Sequence, residues 1–246
     1  MTFDGTQKNI GTGAQAEVLL YHGFAYKVYK PTYPAEWISF EKAQQTAVNK
    51  AGLCPVKYYD TDDSHIIKMD FVDGITLEKR MNALTAGTAP TPDVPLVKSP
   101  EEGFALLAEA FRFVHKADAD GVSIPHLRET AAMGMNQEEA SKVLSIIERL
   151  SAKHPSSICH LDMHFLNIML LRNKEEYVLI DWMNTRLAPA VFDYARTYVI
   201  FFEFAKEVSS IYKQLVWPDV QALGFTDEDF DAAVDACTII RAQEKK

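Results

Sequence analysis

Hydrophobic and polar positions in the first third of the chain alternate in short runs separated by turn residues, a pattern that predicts strands. Ala16 to Tyr21 and Phe24 to Tyr29 are two such runs, and His22-Gly23 between them is a short hairpin signal. After Pro34 the period changes. Trp37, Phe40, Gln44 and Val48 recur at helical spacing and predict a helix. Val56 to Asp60 and His65 to Val72 are two further strand candidates.

From residue 75 the pattern turns helical. Ala83 to Pro100 holds Pro90, Pro92, Pro95 and Pro100 and reads as a surface loop or a linker between helices. Ser99-Pro100-Glu101-Glu102 combines an N-cap, a first-turn proline and a capping-box glutamate. Behind it Phe104, Leu107, Ala108, Phe111 and Val114 share one helix face. A second helix starts at Asn136, with Glu139 three residues on and a stripe of Ala140, Val143, Leu144, Ile147 and Leu150. Both stripes read as core. Between Ile158 and Asp181 short strands return, and Ile168 to Leu171 and Tyr177 to Ile180 flank a polar turn as a hairpin. The remainder is helical, with Thr226 and Asp229 as another start signal. There is no internal repeat or low-complexity tract. The pattern therefore predicts an α+β chain, mostly β first and mostly α afterwards.

Composition adds exclusions. With 246 residues, 48% hydrophobic and 24% charged, the chain is neither disordered, collagen-like nor a coiled coil. A formal charge of −9 argues against nucleic acid as a partner and is weakly compatible with a cationic substrate. Cys54, Cys159 and Cys237 are odd in number and far apart, so they read as small buried apolar side chains and not as a disulfide framework or a zinc site. Met1 to Ile10 holds no apolar signal core, and the apolar stretch around Tyr198 to Phe202 is too short to span a bilayer. The expectation is a soluble, cytoplasmic protein with no membrane partner. Its oligomeric state is not written in the sequence.

The segment richest in chemistry is His160-Leu-Asp162-Met-His-Phe-Leu-Asn167, followed by Tyr177-Val-Leu-Ile-Asp181-Trp182. Phosphoryl transfer from ATP needs a carboxylate near the acceptor hydroxyl and hard oxygen ligands that hold a metal ion against the phosphates. Asp162 precedes Asn167 by five residues, so one bent loop can present both to a common cleft. Asp181 ends an apolar run, from which a strand can deliver a carboxylate to the same place. Separately, an Asp or Asn in a loop is more often a turn or cap residue, and a lone His such as His160 a hydrogen-bonded structural one. The combination is far more specific than its parts.

This segment resembles the catalytic loop and metal-binding aspartate of the aminoglycoside phosphotransferase and choline kinase superfamily, relatives of the protein kinases. The resemblance implies a bilobal protein-kinase-like fold, with an N-terminal nucleotide-binding lobe over 1–71, a hinge near 70–74 and a C-terminal catalytic and substrate-binding lobe over 72–246. It implies Asp162 as catalytic base, Asn167 and Asp181 as Mg2+ ligands, and ATP and Mg2+ as cofactors. Ile10-Gly11-Thr-Gly13-Ala-Gln-Ala-Glu-Val18 lies where the superfamily has its glycine-rich phosphate loop, with Ala16 in place of the last glycine. Ala25-Tyr26-Lys27 resembles the Ala-x-Lys of the third kinase strand, whose lysine binds the α and β phosphates. Glu41, on an otherwise apolar helix face, needs a cation, and Lys27 is its candidate partner, with Glu36 the competing choice. Ile67 to Gly74 resembles the strand and hinge, with Met69 as gatekeeper and the Asp70 carbonyl and Val72 amide facing the adenine edge; its bland alternative is an edge strand ending in an Asp-Gly turn. Asp193-Tyr-Ala-Arg196 resembles the family's D-x-A-R segment, in which Asp193 binds catalytic-loop amides and Arg196 is an ion-pair partner.

The function implied is transfer of the ATP γ-phosphate to a hydroxyl of a small molecule such as an aminoglycoside, choline or ethanolamine, or a sugar. Twelve positions from Asp181 to Asp193 leave little room for a peptide-docking activation segment, which places a compact protein kinase behind it. A nucleotide-binding pseudokinase or regulatory module is the alternative from another class. The acceptor is not encoded legibly. Asp227, Glu228, Asp229, Asp231 and Asp235 could attract a polyamine-like acceptor or form a solvated helix face. Trp182, Phe201, Phe202 and Trp217 could cage a quaternary ammonium or pack in the core. Sixty-five residues follow Asp181 in this sequence, an expected substrate lobe small for an antibiotic-modifying enzyme.

Overall fold

The turn at His22-Gly23 sets the geometry of the first sheet. The computed structural model describes residues 1–87 and 93–245. His22 and Gly23 take φ of 47° and 80°, and two consecutive positive values give the tight turn whose twist matches the strands it joins. Those strands, β2 (Ala16–Tyr21) and β3 (Phe24–Tyr29), pair without a slip from Ala16 opposite Tyr29 to Tyr21 opposite Phe24. Outside β2 lies β1 (Lys8–Thr12), with an irregularity between Asn9 and Gly11. On the other side of β3 come β5 (Ile66–Asp70) and then β4 (Tyr58–Tyr59), completing an antiparallel sheet of order β1-β2-β3-β5-β4. The last two strands are shorter than their apolar runs suggest, and Val72 lies beyond the strand.

One helix, α1 (Ala35–Lys50), covers this sheet, with Ala16, Tyr29, Ile38 and Ile67 forming the small core between them. Its inward face differs from the expected stripe. Trp37 and Phe40 are only half-buried, whereas Ile38, Glu41, Gln44, Gln45 and Val48 are buried. The reason is that three inward polar side chains have partners: Gln44 Nε2 donates to the Thr185 carbonyl at 2.6 Å, Gln45 Nε2 to that of Val56 at 2.8 Å, and Glu41 accepts from Lys27.

The rest of the chain is mainly helical. It comprises β6 (Gly74–Thr76), α2 (Leu77–Thr85), α3 (Pro100–His115), α4 (Leu127–Thr130), α5 (Gln137–Lys153), β7 (Ser156–Cys159), β8 (Ile168–Leu171) and β9 (Tyr177–Leu179). Then follow β10 (Arg186–Pro189), α6 (Val191–Phe204), α7 (Lys206–Ala222) and α8 (Asp227–Glu244). Strands β6, β8 and β9 form one small sheet, and β7 pairs with β10 in another. The helix starts follow their caps: Ser99 accepts from the Glu102 amide, Asn136 from that of Glu139, and Thr226 and Asp229 cap each other reciprocally. Glu102 reaches the Lys98 amide instead of closing a box on Ser99. The expected loop from Ala83 begins later, since α2 runs to Thr85; Pro90 and Pro92 lie outside the described residues. All three cysteines are free and buried. Among the described residues no helix is long and apolar enough to cross a membrane.

Gly74 marks how tightly the first sheet's exit is tied to the second. A Cβ built there would stand 2.3 Å from the Leu170 carbonyl oxygen, a backbone atom that cannot yield without moving β8. Gly74→Ala is expected to destabilise the protein by about 1–3 kcal/mol, the usual range for overpacking. Urea denaturation measures this, and an unchanged midpoint would contradict the close approach.

Candidate active site

Strand β7 ends at Cys159, and the chain then bends sharply through His160 and Leu161. Leu161 has φ of 58°, a left-handed conformation that a branched side chain disfavours and that must be held from outside. Asp193, fully buried in the first turn of α6, holds it: its two oxygens accept from the His160 amide at 2.9 Å and the Leu161 amide at 2.8 Å. His115 Nε2 donates to the same carboxylate at 3.0 Å. One turn further along α6, the Thr197 hydroxyl donates to the Met163 carbonyl at 2.7 Å. The bend thus rests on one helix, and it presents Asp162.

Asp162 and Asn167 meet across this loop. Asn167 Nδ2 donates to the Asp162 carbonyl at 2.8 Å and to its Oδ2 at 3.1 Å. His164, which carries no role in the motif reading, is a third member. Its Nδ1 accepts from the Leu166 amide at 3.3 Å, so in the neutral ring Nε2 carries the proton, and Nε2 lies 3.6 Å from Asp162 Oδ1. Its signal is the short turn Phe165–Asn167, which needs a cap at position 164. Burial alone would raise the Asp162 pKa. The His164 contact, with Arg196 nearby, outweighs it and holds the carboxyl at about 2.

Asp181 arrives from the other arm of the β8–β9 hairpin and also has a positive φ, of 62°. His160 Nε2 donates to the carbonyl of the preceding Ile180 at 3.1 Å, and the His160 ring lies against Trp182, 4.5 Å between centroids. Trp182 is itself buried, its indole donating to the Leu179 carbonyl at 3.0 Å. His160 therefore braces the two arms. Burial lowers its pKa below the ordinary value, so it is neutral in the fold.

From the first sheet, Lys27 on β3 donates to Glu41 on α1 at 2.8 Å and lies 3.7 Å from Asp181. Glu36 is exposed. Tyr29 donates a very short bond to the other Glu41 oxygen. Burial opposes the Lys27 charge, but the Asp181 and Glu41 carboxylates prevail and hold its pKa well above the usual value. Lys27 and Asp181 face a cleft of about 480 Å³ that Glu41, Asp162 and Asn167 do not line. Gly11, Val18, Ala25, Lys27, Met69, Asp70, Val72 and Asp181 all line it, which brings strands β1 to β3, the end of β5 and the end of the β8–β9 hairpin onto one cavity. Gly13 does not line it; its amide donates to the Ala16 carbonyl at 2.8 Å and closes the β1–β2 loop. Arg196 departs from expectation. It pairs with Glu244 of α8 and not with Asp193, whose oxygens are already filled by the two amides and His115.

A family model described as the phosphotransferase enzyme family matches residues 9–216. The chain belongs to the phosphotransferase enzyme family. Among solved structures, this phosphotransferase is similar to the aminoglycoside phosphotransferase APH(3'')-Id from Streptomyces rimosus in complex with ADP and streptomycin, at 11% identity and a TM-score of 0.63, over 97% of this chain and 94% of that one. The amicoumacin kinase hAmiN, in complex with AMP-PNP, Ca2+ and Ami, matches at 10% identity and a TM-score of 0.53, over 98% and 79%. A choline/ethanolamine kinase family protein from Mesorhizobium loti matches at 15% identity and a TM-score of 0.50, over 99% and 89%. Likeness at this identity concerns the fold, which is the bilobal protein-kinase-like one. No curated protein matches the chain at a significant level.

The brace formed by His160 has a measurable pH signature. Its folded pKa is depressed, so below the ordinary value of ~6.5 the unfolded chain binds a proton that the folded chain refuses. Its share of stability is complete above that value and falls as pH drops toward the folded pKa. His160→Gln is expected to flatten the rise of unfolding free energy with pH below about 6.5. Denaturant titrations across that window test it, and an unaltered slope would count against a neutral buried His160.

Proposed function

We propose that this phosphotransferase transfers the γ-phosphate of ATP to a hydroxyl of a small molecule. The observation that carries the reading is the convergence of Lys27, held by Glu41, on Asp181 within a cleft also lined by the hinge residues. ATP as donor is supported by the nucleotides bound to the Streptomyces and amicoumacin enzymes. In this reading the lobes are 1–71 and 72–246, adenine lies against Met69, Asp70 and Val72, and Lys27 binds the phosphates.

Asp162 acts as base. As the acceptor oxygen forms its bond to the γ-phosphorus, the bond from that phosphorus to the bridging oxygen breaks and its electron pair leaves with ADP. The hydroxyl proton passes to the Asp162 carboxylate, whose low pKa keeps it ionised and ready to orient the hydroxyl. The donor set fits Mg2+. Asp181 is partly exposed to the cleft, and Asn167 commits its Nδ2 to Asp162 while its Oδ1 accepts no hydrogen bond among the described residues. Asp181 and Asn167 would hold the ion, which when bound neutralises phosphate charge.

Asp162→Asn is expected to lower kcat by about 10²–10⁴-fold, while the Kd for Mg-ATP shifts by less than about threefold, since the base acts on the acceptor. ADP release over a panel of hydroxyl acceptors, with calorimetric titration of Mg-ATP, measures both. Wild-type rates in the variant would remove Asp162 from the role. Failure of the wild type to bind Mg-ATP would remove the reading altogether.

A further inference from the structure

Beside the catalytic loop lies a second cavity of about 80 Å³, which shares no lining residue with the nucleotide cleft. Leu161, next to Asp162, and Asn184, three residues past Asp181, form part of its wall. Two guanidinium groups also line it. Arg196 is 3% exposed, and its Nε is buried with no hydrogen-bond partner among the described residues. Arg186 is 9% exposed and, among the described residues, donates only to neutral oxygens: the Thr130 hydroxyl at 2.8 Å and the carbonyls of Met183 and Thr185 at 3.1 and 2.8 Å. Burial with no carboxylate in contact pulls its pKa down to about 10, against a weak opposing pull from Glu244, and leaves it charged at neutral pH.

Among the described residues the cavity's one carboxylate is Glu244, on the last turn of α8, and it meets Arg196 through Nη2 alone. A guanidinium offers a carboxylate two parallel donors, so this single contact leaves half of the fork unused. Glu244 has a second partner in Arg241 Nη1, 3.4 Å away, and Arg241 is in turn held by Glu203 at 3.2 Å. A side-chain rotation toward Arg241 therefore frees Arg196 without leaving Glu244 unpaired. Both guanidinium groups line the cavity, so once Glu244 has turned away a negative group is what offsets their charge.

We propose that the phosphate acceptor carries a carboxylate in addition to its hydroxyl, and that this carboxylate takes the Nε and Nη2 fork of Arg196 beside Arg186, in the place Glu244 holds in its absence. The proposal rests on the phosphotransfer reading and adds the class of acceptor: small hydroxy acids, not polyamine or quaternary ammonium compounds. Anchored there, the acid lies against Leu161, and its hydroxyl end extends toward Asp162. The acceptor oxygen then gains the phosphoryl group, ADP leaves with the bridging electron pair, and Asp162 takes the proton, while the carboxylate is unchanged.

The test is ADP release from Mg-ATP by the full chain, with glycerate, L-serine, L-homoserine and 4-hydroxybutyrate, with their methyl esters, and with ethanolamine, choline and streptomycin. At least one acid is expected to exceed its own ester by about 10- to 100-fold in kcat/KM, the worth of a charge-assisted pair. Arg196→Gln should remove that preference by raising KM for the acid and leaving KM for ATP in place. Because a buried arginine variant can fail to fold, Glu244→Gln supplies a second measurement: loss of the competing carboxylate should lower KM for the acid several-fold and leave that of the ester unmoved. An ester equal to its acid, a cationic acceptor preferred over all the acids, or turnover of none of the acids overturns the proposal. Calorimetric titration with Mg-ATP separates the two failures: binding leaves the phosphotransfer reading in place, and no binding removes it as well.

Discussion

A single buried carboxylate, Asp193, holds the loop from His160 to Asn167 in a shape that its own residues disfavour. Leu161 sits at positive φ, which a branched residue does not adopt unaided, and both amides at that bend end on the Asp193 oxygens. Without those acceptors two buried N–H groups would be unpaired and the bend would relax. Everything downstream takes its position from it: Asp162 directly, Asn167 through its bonds to Asp162, and Asp181 through the His160 brace on Ile180. Helix α6 carries this duty together with Thr197, which explains why its inward face includes polar groups inside an apolar core.

The second half of the site is assembled from a different part of the chain by electrostatics. Lys27 has a strand for its backbone and two carboxylates for its charge, one on α1 and one on the β8–β9 hairpin. Glu41 is buried yet satisfied by Lys27 and Tyr29, so its desolvation is offset by charge-assisted bonds. The two halves meet at Asp181, which belongs to the loop architecture and to the lysine's ion pairs at once.

Much of this was legible in the residues because it is local. The H-x-D-x4-N spacing, the hairpin leading to Asp181 and the turn at His22-Gly23 are each written within a few positions. Glu41 was legible for another reason, since an acid on a buried helix face demands a cation. The partner of Arg196 was not, because Glu244 is 48 residues away and nothing periodic links them. The β7–β10 pair was equally hidden, as short strands such as Arg186–Pro189 carry too few alternations to be read. The two glycines take different places in the fold: Gly11 lines the cleft, whereas Gly13 closes a turn. The basic cavity beside Leu161 emerges only from the meeting of α4, α6, α8 and the segment after Asp181.

Helix α1 is tied along its buried side by Glu41 to Lys27, by Gln45 to the Val56 carbonyl and by Gln44 to the Thr185 carbonyl just past Asp181. Swinging it outward would strip partners from a buried acid and two buried amides together, at about 1–3 kcal/mol for each group left unsatisfied. That makes the helix a fixture and not a lever.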